Sequence, residues 1–225
     1  MAEPNRKYLV LIAGLFSAVL IMSLILAGKI VSVAGITFSA AIIVFPVSYV
    51  FGDVLTEVYG YASARQVVWA GFAAQIMWIA SYTLAAALPP ASFWPHQAAF
   101  ETILGATPRI AFAGMIAFLG GEFLNAYILA RPKLRSAGRG LALRLVASTV
   151  VGQALDTAVF VTIAFGGVFA IADLVQIAVG AFLLKVAWEI AALPVTLPVI
   201  ARLKREEGED HFDRGTDFNP FRLKG

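Results

Sequence analysis

Cysteine is absent from this chain of 225 residues, which removes disulfides, thiol catalysis and cysteine-held metal or iron–sulfur sites in one step. Histidine is almost absent: His96 and His211 stand far apart, so a histidine metal site is not expected. No G-x-x-x-x-G-K-[ST] phosphate loop occurs, so the chain cannot power itself by that route, and no G-x-S-x-G or H-E-x-x-H supports a hydrolase. Charged residues are few, at 14%, and no repeat, low-complexity segment or second folded domain is visible. No enzyme, cofactor or metal is expected from such a sequence.

What is abundant is apolar surface. The chain is 60% hydrophobic with a mean hydropathy of +0.83, far above a soluble domain of this size, and reads as an integral membrane protein. Its formal charge of +3 does not point to nucleic acid, because the basic residues cluster at the ends of apolar runs, where membrane topology accounts for them. Six such runs predict transmembrane helices at about 8–27, 31–59, 66–88, 109–130, 141–165 and 174–201, in a single domain with a polar tail at 202–225. The first run is too long for a signal-peptide core. Between 91 and 108, Trp94, Pro95, His96, Phe100 and Glu101 read as an interfacial segment.

Six spans put both chain ends on one side. Assigning the leader, the second and fourth loops and the tail to the cytoplasm gathers Arg6, Lys7, Arg65, Arg131, Lys133, Arg135, Arg139 and six tail cations there. The other side keeps Lys29 and Arg109, so both termini are expected to be cytoplasmic.

The stretch from Phe45 to Tyr61 ends an apolar run yet holds two carboxylates. Read as helix, Phe45, Tyr49, Asp53 and Glu57 share one face, a candidate wall for a polar ring-shaped ligand. Pro46 and Gly52 are the natural places for a kink, and a half-helix starting at Gly52 would carry Asp53 on its positive end. The alternative is that both acids lie solvated at the membrane surface or cap a helix, and position alone does not separate the two.

Further polar residues fall at membrane depth: Gln75 and Trp78, Glu122, Gln153 and Asp156, and Lys185 and Glu189, with Asn125 and Arg144 nearer the cytoplasmic side. Ionisable groups this deep cost a few kcal/mol each on insertion scales, so they face a cavity or a partner. Lys185 and Glu189, four apart, can form a plain ion pair within one helix. Asp156 can bond Arg144 or Lys185 across helices, and Gln75 and Gln153 can serve as glue between helices. Glu122 has no opposite charge at helical spacing, while Ala113, Ala117 and Gly121 mark a close-packing face beside it, which favours a functional Glu122. Buried carboxylates and amides without a nucleophile read most simply as a transporter.

These residues also carry a family likeness. Phe45-Pro46, Gly52-Asp53, Thr56-Glu57-Val58-Tyr59-Gly60, Thr107-Pro108-Arg109, Gly121-Glu122-Phe123-Leu124-Asn125, Gly152-Gln153, Asp156-Thr157, and Lys185 with Glu189 resemble the queuosine precursor transporter family, also called the VUT family. The tail Asp213-Arg214-Gly215-Thr216-Asp217-Phe218-Asn219-Pro220-Phe221 is similar to endings found there. The resemblance implies an all-α bundle of six transmembrane helices, similar to the substrate-binding subunits of energy-coupling vitamin transporters. It further implies an inner-membrane importer of 7-deazaguanines of the 7-cyano or 7-aminomethyl type.

A guanine-like edge offers two adjacent N–H donors and an acceptor. Glu122 or Asp156 fits the donors, and Gln153, Asn125 or Gln75 fits the acceptor. Trp78, Tyr49 or Phe45 fits the flat ring, while Asp53, Glu57, Lys185 and Glu189 complete the candidate set. The expected partners are a purine-like small molecule and membrane lipid, with a homodimer as an option. The alternative reading is a binding subunit for a purine-like or vitamin-like ligand that needs a separate energising module.

Overall fold

Inside a bilayer no water satisfies backbone amides and carbonyls, so apolar runs of this length must close their hydrogen bonds within themselves. The computed structural model describes residues 6–27, 29–33, 36–104 and 108–222, and among these six helical stretches are long and apolar enough to cross a membrane. In chain order the elements are α1 (Leu9–Ala27), β1 (Ile30–Val33), β2 (Ile36–Ser39), α2 (Phe45–Val54), α3 (Tyr61–Ala87), α4 (Gln97–Leu104), α5 (Pro108–Ser136), α6 (Leu141–Phe165) and α7 (Ile171–Glu207). The first leader residues 1–5, Gly28, Thr107 of the Thr-Pro-Arg motif and the tail end 223–225 lie outside the described residues.

The second span departs from the expected 31–59. Its first part is an antiparallel hairpin in which Ile30 stands opposite Ser39 and Val33 opposite Ile36. Ile30, Val31, Val33, Ile36 and Thr37 are β-branched, which suits a strand better than a helix. Helix begins only at the short 3₁₀ turn Ala40–Ile43, where the Ser39 hydroxyl accepts from the Ala41 amide.

The break in this span is also elsewhere than expected. Pro46 sits in the first turn of α2, where its missing N–H costs nothing, and Gly52 lies within the helix. After Val54 the helix widens into one π turn, Leu55–Tyr59, and stops at Gly60, whose φ of 85° excludes most other residues. The ring of His211 fills the space a Cβ at Gly60 would need.

α5 passes the expected end at 130 and continues through Pro132 to Ser136. The expected basic loop is therefore largely helix, with Lys133 and Arg135 placed in the last turn, where cations complement the carbonyl end of the helix. The turn that follows needs positive φ at Ala137, Gly138 and Gly140. α7 starts at Ile171 rather than 174 and spans 37 residues, roughly 55 Å at 1.5 Å per residue, so it outruns a hydrocarbon core of about 30 Å.

α5 and α6 share the largest helix–helix interface, and α7 packs on α6 and α2. The close approach depends on glycine: a Cβ at Gly152 would lie 2.9 Å from both the Gly121 carbonyl oxygen and Asn125 Cβ. The expected small-residue face is buried, with Ala113 and Ala117 fully covered. On the other side α1 crosses α3 at Gly71, where Phe16 and Leu20 pack, and the apolar core continues through Val54, Leu55, Val68, Phe118 and Leu145. Both chain ends meet at one end of the bundle, because the amides of Lys7 and Tyr8 donate to the Glu207 carboxylate at 2.9 and 2.8 Å.

Candidate functional site

Four helices bring their polar residues to one buried cluster. α2 supplies Tyr49 and Asp53, α5 supplies Glu122 and Asn125, α6 supplies Asp156, and α7 supplies Lys185 and Glu189. The Asn125 amide donates to Asp53 Oδ1 at 2.8 Å, and Lys185 Nζ donates to Asp156 Oδ2 at 2.7 Å. Lys185 Nζ also sits 4.8 Å from the centre of the Phe45 ring, which in turn meets the Tyr49 ring edge-on at 5.8 Å. Asp53 and Glu189 stand within hydrogen-bonding reach of each other, yet both are acceptors when ionised.

The cluster is held tightly from behind. Gly52 is required because a Cβ there would overlap Glu122 Oε1, and a Cβ at Gly121 would come within 2.5 Å of the Tyr49 hydroxyl and 2.8 Å of Asp156 Cβ. Its polar capacity is nevertheless largely unused. Both oxygens of Glu122, both oxygens of Glu189, Asp53 Oδ2, Asn125 Oδ1 and the Tyr49 hydroxyl are buried without a hydrogen-bond partner. Gln153, on the same turn of α6 as Gly152, has both amide atoms buried and unpartnered. Native interiors rarely leave such groups unmet.

Two apolar grooves on the bundle lie elsewhere. One of 280 Å³ is lined by Leu11, Val50, Phe51 and Val199, and one of 190 Å³ by Ala154, Ala178, Val179 and Phe182. Neither is lined by a carboxylate. The acid cluster itself is sealed, so an occupant enters only if helices part.

Glu57 has the opposite surroundings. Its carboxylate receives Arg144 in a two-bond fork at 2.7 and 3.1 Å and Lys204 at 2.6 Å, with Lys133 Nζ at 3.3 Å. The expected stripe therefore holds for Phe45, Tyr49 and Asp53 but not for Glu57. The physical reason is the partners one turn further on, where Arg144 and Lys204 reach Glu57 from α6 and α7 while Asp53 meets the Asn125 amide. Lys133 also donates to the Glu57 carbonyl, to Asp210 and to the His211 carbonyl at 2.6, 2.6 and 2.8 Å. Burial opposes ionisation of Asp210, but hydrogen bonds from Lys133 and Lys204 outweigh it and hold its carboxyl below the usual aspartate range.

The tail continues from this network as a strap over the basic end. His211 N–H donates to the Val58 carbonyl at 3.1 Å, the Tyr61 amide donates to the Asp213 carboxylate at 3.0 Å, and Arg65 donates to the Asp217 and Asn219 carbonyls, both at 2.8 Å. The Trp69 indole donates to the Pro220 carbonyl at 2.7 Å, and Phe218 packs on Tyr61 and Tyr127.

Several sequence alternatives now separate. Lys185 bonds Asp156 rather than Glu189, and Arg144 bonds Glu57 rather than Asp156. Gln75 is buried on α3 with its carbonyl oxygen unpartnered. Trp78 stacks on Tyr82 at 5.9 Å beside Phe100 of α4, in an aromatic group of its own. The sequence reading gave no site role to Lys133, Lys204 or Asp210. The available signal was Glu57 itself, a carboxylate that needs compensating cations once buried.

The family model described as "Putative vitamin uptake transporter" matches residues 39–199, which contain every member of the acid cluster. A protein of Bacillus subtilis (strain 168) named "Probable queuosine precursor transporter" is 32% identical over 167 residues, covering 74% of this chain and 73% of that one. No solved structure matches. A six-span bundle with a buried polar cluster inside the matched region thus belongs to the vitamin uptake transporter family and is a multi-pass membrane transporter.

Proposed function

We propose that this protein imports 7-deazaguanine precursors of queuosine, of the 7-cyano or 7-aminomethyl type, across the bacterial inner membrane without chemical conversion, with both termini in the cytoplasm. The name of the Bacillus subtilis relative supports the substrate class. The observation that carries the reading is Glu122: it is fully buried on α5, both its oxygens lack a hydrogen-bond partner, and it packs against the bare backbone of Gly52. A guanine-like edge presents two adjacent N–H donors, and one carboxylate accepts both. Asn125 Oδ1 and the Gln153 amide supply the remaining polar contacts, while Tyr49 and Phe45 offer ring faces nearby.

The test is binding of a purine and 7-deazapurine panel to the purified protein, followed by uptake into liposomes containing this chain alone. Each charge-assisted bond contributes about 1.5–3 kcal/mol, and about 1.4 kcal/mol is one decade in affinity, so Glu122→Gln should weaken deazaguanine binding at least tenfold. The variant replaces one acceptor oxygen with a donor that opposes the ligand's own. Binding within about threefold of the parent would make Glu122 structural and pass the role to Asp156.

A further inference from the structure

The charges of the buried cluster do not balance, and the imbalance has a place. Asp53, Glu122, Asp156 and Glu189 are four carboxyls within one bundle interior, and Lys185 is the one cation joined to them among the described residues. That lysine is already committed to Asp156 at 2.7 Å. The Asp53 and Glu189 carboxyls, from α2 and α7, are adjacent, and between them only Asp53 Oδ1 has a partner, the neutral amide of Asn125.

The groups around the pair come from every packed element. α2 itself contributes the Tyr49 hydroxyl, which is buried, unpartnered and set among the four carboxyls. α5 contributes Glu122 and Asn125, α6 contributes Asp156, and α7 contributes Lys185. α1 has no charged residue at all. The cations of the basic end, Arg144, Lys133 and Lys204, are occupied by Glu57. Two ionised carboxylates side by side in a dry interior repel each other and forfeit their hydration, so such a pair needs a positive charge between them.

We propose that Asp53 and Glu189 form a proton-binding site, holding one proton between facing carboxyl oxygens, and that this proton is the ion whose gradient drives substrate uptake. The proposal rests on the transport reading above. The bond is simple: one carboxyl donates its O–H to the other carboxylate, which meets two of the pair's three unpartnered oxygens with no further residue. The joint between α2 and α7 would be tight when the proton is present. It would be repelled apart when the proton leaves, which is the parting that a sealed site requires.

Two measurements test this. In ligand-free protein, infrared spectroscopy should show a protonated-carboxyl C=O band at neutral pH that diminishes in Asp53→Asn and in Glu189→Gln. In liposomes clamped at zero membrane potential, with radiolabelled 7-cyano-7-deazaguanine as a neutral probe, an inside-alkaline gradient of one pH unit should drive accumulation of up to about tenfold for one proton per substrate. A sodium gradient should drive none. Any residual uptake by Asp53→Asn should no longer respond to external pH.

Accumulation driven by sodium, or uptake by the parent that ignores the pH gradient, would overturn the coupling. An infrared band absent from the parent, or unchanged in both variants, would overturn the proton site whatever the substrate. If the band behaves as expected but no deazaguanine is bound or carried, the substrate reading fails and the proton site stands.

Discussion

At the scale of single residues, this protein buries two glutamates in opposite ways. Glu122 is unpartnered, whereas Glu57 is surrounded by Arg144, Lys133 and Lys204. Breaking a buried ion pair by removing one partner costs about 3–5 kcal/mol, because the charge left behind is uncompensated. Glu57→Gln leaves Arg144 in that position, while Lys133 and Lys204 keep Asp210, so it should lower the melting temperature in detergent by several degrees, whereas Glu122→Gln should leave the melt nearly unchanged and lose binding. Equal melts for the two variants would refute the division into a structural and a ligand-reading glutamate. Both residues were visible in the sequence as deep acids. Their surroundings were not, because Lys133 and Lys204 reach Glu57 from α5 and α7, far away in the chain.

At the scale of elements, the decisive contacts are where backbones touch. α5 and α6 cross at Gly121 and Gly152 so closely that one added methyl has no room, and the same crossing fixes Asn125 beside Asp53. Overpacking of this kind costs about 1–3 kcal/mol, so Gly152→Ala should both lower the melting temperature and weaken deazaguanine binding as Asn125 is displaced. A variant with intact binding would show that α6 can shift without disturbing the α2–α5 contact. The small-residue face on α5 was legible from Ala113, Ala117 and Gly121. The hairpin at residues 30–39 was hidden in an apolar run that met the length of a span, and the π turn at Leu55–Tyr59 leaves no mark in composition.

For the whole molecule, cations and chain ends gather at one end of the bundle. Arg6 pairs with Glu209, Lys133 and Lys204 hold Asp210, and Arg65 grips the tail, whereas Lys29 follows α1 at the other end and Arg109 is spent on the Ile163 and Gly166 carbonyls. By the positive-inside rule the proposed orientation puts this crowded end in the cytoplasm. A reporter fused after Gly225 should therefore register as cytoplasmic and one inserted near Gln97 as external. An external C-terminal reporter would refute the orientation and would place the strap outside the cell.

The sequence by itself determined the medium, the number of spans, the family likeness and the list of deep polar residues, because hydropathy, length and residue identity are local properties. Three outcomes belonged to the tertiary structure alone. Glu57 left the ligand stripe, Lys185 chose Asp156 over the Glu189 one turn away, and Arg144 chose Glu57 over Asp156. Each is a choice of partner between helices, settled by how the helices pack. Spacing along one helix names the residues that share a face; only packing decides which charge that face meets.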